Sequence, residues 1–432
     1  MVRKSRKLVL VAAAVAATGL VATGCSSGSS DTSGGGETAA PSESGAPATP
    51  GLPSSLIGMH IEGVEGGAWA SAPFGALRLW DNGTAWSQIE IEPGVYKWDN
   101  LEGALENAQD KGMTDVLMVL GTTPEWNAKE IGKDDYPQPG AASAPKDLTA
   151  WDTWVTEVAT RYKGRISSYQ IWNEANLKNF WNGTPEEMAE LTKRAYDIIK
   201  NIDPDALVVS ASPSTRLTGP FQKFFPAYLK ALAAKDWPVD VFAVHTYPAA
   251  DGDPTARGLL LDAVKTELTA AGAPELPLWD TELNYGLAGP GDLPKQDITG
   301  ARAAGFVVRT YIDDLRLGVD RSYWYIWTPR EYPLLGVQAF PGSDAEQGFF
   351  ALENWVLGSQ FDGCTEAETG AVTCNFSRDG SSWVVAWAQK GDVATTAPEG
   401  TALVCDPLAN CQESSGGADV TLTEVPVRFY IQ

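Results

Sequence analysis

Histidine is nearly absent from this chain: 432 residues hold two, His60 and His245. Cysteine is almost as scarce, with Cys25 near the start and Cys364, Cys374, Cys405 and Cys411 near the end. Neither histidine lies near those late cysteines in sequence, so a zinc site is the lesser alternative to disulfides, and no metal and no other cofactor is expected. Local pairing of 364 with 374 and 405 with 411 is expected among the three possible connectivities, because each pair flanks what reads as a hairpin or tight loop. Positive charge is in short supply too, with 32 Lys and Arg against 55 Asp and Glu and a net charge of −23. Such a field attracts neither nucleic acid nor an anionic lipid surface, and it disfavours a strongly anionic substrate unless a local basic patch overrides it. Also missing is a Gly-rich phosphate fingerprint after the first strand-like run, which counts against an open nucleotide-binding sheet.

Among the few basic residues, Arg3, Lys4, Arg6 and Lys7 stand together ahead of an apolar run from Leu8 to Val21. That run is short for a bilayer span of ~20 residues. With Ala22-Thr23-Gly24-Cys25 behind it, the segment resembles a bacterial lipoprotein signal peptide over residues 1–24, with Cys25 the residue to be acylated. An uncleaved anchor and an ordinary secretory signal are the alternatives. Acyl chains on Cys25 would hold the protein at the outer face of the bacterial membrane without a transmembrane helix. Losing those four basic groups and no acid takes the net charge from −23 to −27. From residue 25 to 54 the chain is rich in Ser, Gly, Thr, Ala and Pro, a composition that reads as a flexible tether of about 30 Å.

Beyond the tether, apolar runs alternate with helical stretches. Strands are expected at 56–61, 75–80, 115–120, 166–173, 206–211, 239–245, 276–282 and 321–327, and helices at 100–111, 150–162, 185–202, 219–234, 257–271, 300–317 and 346–357. Eight strands alternating with helices over residues 55–358 favour an α/β fold of the (β/α)8 TIM-barrel type. Between the first two strands the helix signal is weak. Residues 359–432 change texture to short β-branched and aromatic runs separated by turns, which reads as a small C-terminal antiparallel β-sandwich. Its expected role is packing against the barrel; Trp383 and Trp387 leave a glycan-binding role open.

Two short strings carry the chemistry: Trp172-Asn173-Glu174-Ala175-Asn176 after the fourth strand and Trp279-Asp280-Thr281-Glu282-Leu283-Asn284 in the seventh. Each glutamate falls at the C-terminal end of a barrel strand, where such folds place catalysis. Two acids in unlike environments suffice to cleave a glycoside, one protonated to donate and one ionised to attack. Strand alternation puts Gln170, Trp172 and Glu174 on one face unless the chain turns, and gives Asp280 the same parity as Glu282, making Asp280 its chief competitor. The 16 Trp and 13 Tyr suit sugar rings, although most of them should fill the core. Trp126, in Thr123-Pro124-Glu125-Trp126-Asn127, is a candidate sugar platform, and Glu125 and Glu331 also lie on loops of the catalytic face.

An Asn-Glu pair closing the fourth strand and a Glu closing the seventh resemble the clan A retaining glycoside hydrolases. The run Ile171-Trp172-Asn173-Glu174-Ala175-Asn176-Leu177-Lys178-Asn179-Phe180-Trp181 is most similar to family 39 and its exopolysaccharide-hydrolysing relatives. The resemblance implies that Glu174 is the general acid/base, Glu282 the nucleophile and Asn173 the partner of the sugar 2-hydroxyl. It further implies that Tyr247, in a His245-x-Tyr247 pattern, donates to the nucleophile, that Arg78 keeps it ionised, and that Trp327, or else Trp324, floors the sugar site. Ala175 stands where the family usually has proline. The expected protein is then a monomeric, extracytoplasmic hydrolase of a β-linked cell-surface or extracellular polysaccharide. Alternatives are an exo-acting β-xylosidase-like enzyme on oligosaccharides and a non-catalytic carbohydrate-binding lipoprotein.

Overall fold

The computed structural model describes residues 50–432. The signal peptide, Cys25 and all but the end of the tether therefore lie outside the described residues. At that end the chain already lies against the barrel: the Leu52 N–H donates to the Ser359 carbonyl at 2.7 Å and Gly358 N–H to the Leu52 carbonyl at 2.8 Å.

Eight parallel strands form the barrel: β1 (Ile57–Ile61), β2 (Ala76–Leu79), β3 (Val116–Val119), β4 (Ser168–Gln170), β5 (Leu207–Val209), β6 (Phe242–His245), β7 (Leu278–Leu283) and β8 (Arg321–Trp327). They are hydrogen-bonded in the order β5-β4-β3-β2-β1-β8-β7-β6. A parallel bridge between Val209 and Val241 joins β5 to β6 and closes the ring. Seven helices follow the later strands: α1 (Asp99–Asp110), α2 (Leu148–Arg161), α3 (Pro185–Ile202), α4 (Thr218–Ala233), α5 (Pro254–Ala270), α6 (Gly300–Leu317) and α7 (Asp344–Trp355). Their ends carry ordinary signals. Thr184 and Glu187 form a capping box ahead of α3, Asp253 caps α5 with Pro254 at its first position, and Gly318 closes α6 in the left-handed conformation. Between β1 and β2 there is only a 3-10 turn at Val64–Gly66, and a small hairpin, Glu90–Glu92 with Val95–Tyr96, precedes α1.

Alternation along the strands divides the barrel interior into two layers. At the N-terminal end Ala76, Leu117, Val209, Val241, Ala243, Trp279 and Tyr323 form an apolar plug. Gly58 belongs to this packing, since a Cβ there would stand 2.3 Å from the Tyr323 ring. At the C-terminal end the inward residues His60, Arg78, Gln170 and His245 are polar yet fully buried, which is tolerable only if they satisfy one another.

The C-terminal segment forms eight strands: β9 (Gln360–Glu366), β10 (Ala371–Arg378), β11 (Ser381–Ala388), β12 (Val393–Thr396), β13 (Thr401–Cys405), β14 (Cys411–Glu413), β15 (Asp419–Leu422) and β16 (Val427–Ile431). Six make one antiparallel sheet, β9-β10-β11-β16-β13-β14, and β12 pairs with β15 across a small apolar core. Disulfides join Cys364 to Cys374 across β9 and β10 and Cys405 to Cys411 across β13 and β14. Trp383 and Trp387 are buried. The Trp383 indole N–H donates to the Trp355 carbonyl at 2.9 Å and the Arg309 guanidinium lies 5.6 Å from the Trp387 ring, so both serve the seam with the barrel. No helix among the described residues is long and apolar enough to cross a membrane.

Candidate active site

Arg78 organises the polar layer. From β2 it donates from Nε to Gln170 Oε1 at 2.8 Å, from Nη2 to Asn173 Oδ1 at 2.8 Å and from Nη1 to Glu282 Oε2 at 3.0 Å. Gln170 in turn donates to Thr281 Oγ1 at 3.0 Å, and His60 Nε2 lies 3.1 Å from both the Thr281 carbonyl and Arg78 Nη1. Burial and the neighbouring guanidinium hold His60 well below the usual imidazole range, so it is neutral. On the other side of Glu282, the Tyr247 hydroxyl donates to Oε1 at 2.7 Å. His245 sits between the two acids, its Nδ1 3.3 Å from Glu174 Oε1 and 3.8 Å from Glu282 Oε2. Burial pushes His245 down to about 4, so it too is neutral near pH 7.

Both carboxyls are nearly enclosed, Glu174 at 9% exposed and Glu282 at 8%. Burial raises Glu174 to about 7, against smaller opposing pulls from Ser214, Arg78 and Arg216. Glu282 is also raised, because burial outweighs His245, Arg78 and Tyr247. Desolvation thus outweighs the arginine and the phenol that favour its charged form. Direct contacts still separate the two acids. Glu282 has a fixed cation on one oxygen and a phenol on the other, whereas no cation contacts Glu174, so the proton of the pair resides on Glu174.

Local irregularities at the strand ends aim these groups. At β4 the alternation breaks: Trp172 has φ 71° and Glu174 φ 42°, both left-handed and costly for side-chain-bearing residues by about 1–3 kcal/mol each. Trp172 points away from the site, 4.8 Å from the Trp181 ring, and its indole donates to the Phe180 carbonyl at 2.6 Å. Asn173 and Glu174 both turn inward as a result. At β7 the pairing shifts, with Val244 opposite Asp280 but His245 opposite Glu282. This extra residue is a β-bulge, and it reverses the expected shared parity of Asp280 and Glu282. Asp280 faces the helices, where Arg257 Nη2 donates to Oδ2 at 2.8 Å, and it competes for no catalytic role.

The same device corrects Trp327. Along β8, Met59 pairs with Trp324 but Ile61 with Trp327, so one extra residue on β8 puts both tryptophans on the helix-facing side. Neither lines the cavity above the acids. Tyr325 does, together with Trp80, Asp81, Tyr136, Phe180 and Arg216 in a space of about 370 Å³ that also exposes Asn173, Glu174, Tyr247 and Glu282. Trp126 is likewise displaced: its indole donates to the Glu90 carbonyl at 3.1 Å, and it lines a separate depression of about 600 Å³ with Glu125 and Gln138. Glu331 is exposed and lines neither space. Glu174, His245 and Glu282 offer donor atoms within 4.8 Å of one another. A cation there would compete with the Arg78 guanidinium already held against Glu282.

Of the lining residues, Tyr136, Ser214 and Arg216 carry no sequence signal beyond lying on loops after strands. Asp81 and Tyr325 come nearest to being legible, because each directly extends or lies within an apolar strand run.

Solved structures share this architecture. A family 39 β-xylosidase from Caulobacter crescentus superposes with a TM-score of 0.62 at 17% identity, covering 89% of this chain and 97% of its own. A family 30 endoxylanase from Clostridium papyrosolvens gives 0.56 at 13% identity over 89% and 98%. In sequence, a β-xylosidase of Caldicellulosiruptor saccharolyticus is 32% identical over 250 residues, which are 53% of this chain and 48% of that protein. One from Geobacillus stearothermophilus is 27% identical over 119 residues, 25% of this chain and 22% of its own length. The chain thus spans about half, or less, of the curated relatives it matches. The model of glycosyl hydrolases family 39 matches residues 86–329, more than half of the chain, and that stretch holds Asn173, Glu174, His245, Tyr247 and Glu282. The chain belongs to glycosyl hydrolases family 39.

Proposed function

We propose that this protein is a retaining β-glycosidase that removes sugars from the ends of short β-linked chains in the manner of a β-xylosidase. The observation that carries the reading is the acid pair: Glu174 and Glu282 present oxygens within 4.8 Å of each other at the floor of one small cavity. So close an approach of one oxygen from each favours the ~5–5.5 Å carboxyl separation of retaining enzymes over the ~6.5–9.5 Å of inverting ones. Glu282, oriented by Arg78 and Tyr247, attacks the anomeric carbon and forms an ester to the sugar while the Glu174 proton passes to the departing glycosidic oxygen. Glu174, now ionised, takes a proton from water, which attacks the same carbon and releases Glu282. With Oδ1 of Asn173 engaged by Arg78, its amide nitrogen is the group free for a sugar hydroxyl. A space of about 370 Å³ lies near the lower bound of ~300 Å³ for ligand sites and suits one terminal sugar better than an extended chain. The depression beside Trp126 supports a second reading, in which a longer polysaccharide continues across the barrel face.

The exported, lipid-anchored location is part of this proposal, supported by the Cys25 motif and the two disulfides. Proton NMR of the first-formed anomer tests the mechanism; the β-anomer from a β-glycoside is expected, and the α-anomer would refute double displacement. The pH profile carries its own sign. Glu174 must be protonated to donate and sits near 7 in the free enzyme, so kcat/KM is expected to fall as pH rises through about 7. In Glu174→Gln that alkaline limb disappears, and glycosides with poor leaving groups lose about 10²–10⁴-fold while activated aryl glycosides lose far less. An alkaline limb that persists in Glu174→Gln would assign the proton elsewhere.

A further inference from the structure

The cavity wall keeps a buried carboxylate oxygen unused. Asp81 follows β2 and receives the Tyr325 hydroxyl on Oδ2 at 2.7 Å, whereas its Oδ1 is buried without a hydrogen-bond partner among the described residues. Buried polar atoms are rarely left so, and one that lines a binding space is normally completed by the ligand. An idle carboxylate oxygen asks for a donor. Sugars bring hydroxyl donors of that kind, and the carboxylate rejects a partner that offers only an acceptor.

Topology says which hydroxyl. In the ring order, Asp81 extends β2 and is tied to β8 through Tyr325, so it stands over β1. Glu174 extends β4, and Arg216, which follows β5, is tied through the Leu287 carbonyl to the loop after β7. The proton donor and Asp81 thus occupy opposite sides of the mouth. The leaving group must lie on the Glu174 side, where its oxygen is protonated. The sugar ring attacked by Glu282 therefore extends away from that side, toward β8 and β2, and carries its outermost hydroxyls to Asp81.

We infer that Asp81 is the specificity-determining residue that reads a free hydroxyl on the terminal sugar, at the ring position farthest from the cleaved bond. This deepens the glycosidase reading and rests on it. A chain continuing beyond that hydroxyl has replaced the donor by an ether oxygen and added bulk against Trp80 and Tyr136, so it is refused. Chain-end action is then written into the wall and does not depend on a lid.

The test uses aryl β-glycosides of the sugar that the wild type cleaves, with their 3-deoxy and 4-deoxy derivatives. For wild type, removing the hydroxyl that faces Asp81 is expected to lower kcat/KM by about 10- to 100-fold, the value of a hydrogen bond to a charged group. Asp81→Ala should lose a similar factor on the parent glycoside and nothing further on that deoxy derivative. Tyr325→Phe, which removes the donor to Oδ2 but keeps the carboxylate, should retain the discrimination and so separates recognition from local support. Equal discrimination by wild type and Asp81→Ala on every derivative would overturn the inference alone. A wild type that cleaves no β-glycoside would overturn the glycosidase reading and the inference with it.

Discussion

Replacing Glu282 by glutamine is expected to lower kcat by about 10⁴-fold or more, to leave KM almost unchanged and to lower the melting temperature. An amide has the carboxylate's shape, so the Tyr247 hydroxyl keeps an oxygen acceptor, but the amide nitrogen then faces the Arg78 N–H and that hydrogen bond is lost. What vanishes is the lone pair that makes the bond to the anomeric carbon. Stability should fall as well, because the buried Arg78 loses its one anionic partner, although the relief of Glu282's own desolvation offsets part of that cost. Steady-state kinetics and a thermal melt on the same preparation check both halves. A variant with more than about a tenth of wild-type kcat would remove Glu282 from the nucleophile's role. In Glu282→Gly the vacated volume admits a small anion such as azide, which should restore turnover on activated aryl glycosides. It would attack from the side that Glu282 used and give a glycosyl azide of inverted configuration. That result distinguishes a lost nucleophile from a collapsed site.

The barrel was readable because eight apolar runs and their intervening amphipathic stretches obey simple periods, and the observed strands lie within a few residues of the expected ones. Periodicity failed at the rim, where chemistry is placed. Alternation predicts Asp280 inside and the family resemblance puts Trp327 there, and a bulge in each strand turns them outward. A bulge needs no particular residue type, so nothing in Tyr325-Ile326-Trp327 or Asp280-Thr281-Glu282 announces one. Glu174 and Asn173 were placed correctly only because of where they fall; the left-handed Trp172 that turns them inward is a residue type for which such a conformation is unusual. Trp126 has the right chemistry and lies at the right end of the barrel, but it lines a depression separate from the space above the acids. Arg78 is the opposite case: it lies within a short regular strand whose alternation is unbroken, and its buried guanidinium must find acceptors.

Replacing Arg257 by methionine is expected to cost about 3–5 kcal/mol of stability and, although the residue touches no substrate, to reduce kcat by about 10- to 100-fold. Arg257 lies fully buried on α5 between two carboxylates, with Nη2 2.8 Å from Asp280 Oδ2 and 2.8 Å from Asp314 Oδ1. It also donates from Nε to Thr246 Oγ1 at 2.9 Å and from Nη2 to Ser322 Oγ at 3.0 Å. Methionine fills much of its volume but leaves two buried acids without a cation. Even with the arginine present, burial lifts Asp314 to about 6, above its unfolded value near 3.8, so the folded state binds more protons between those limits. Stability therefore falls as pH rises through that window, and losing Arg257 raises the Asp314 pKa further and widens it. Urea unfolding should show the larger deficit at pH 8 and the smaller at pH 5. The catalytic loss follows from the bulge. Asp280 is pinned outward by Arg257 and by the Thr246 N–H at 3.1 Å, and that anchorage beneath Glu282 keeps the extra residue of β7 in place. Freed from it, the strand can slide toward regular pairing and carry Glu282 away from Arg78 and Tyr247, and a displacement of about 1 Å is enough for the expected loss. Arg257→Lys keeps the charge without the fork and should fall between wild type and methionine in both measurements. Wild-type kcat in Arg257→Met, measured on the folded fraction, would show that the bulge holds without its anchor.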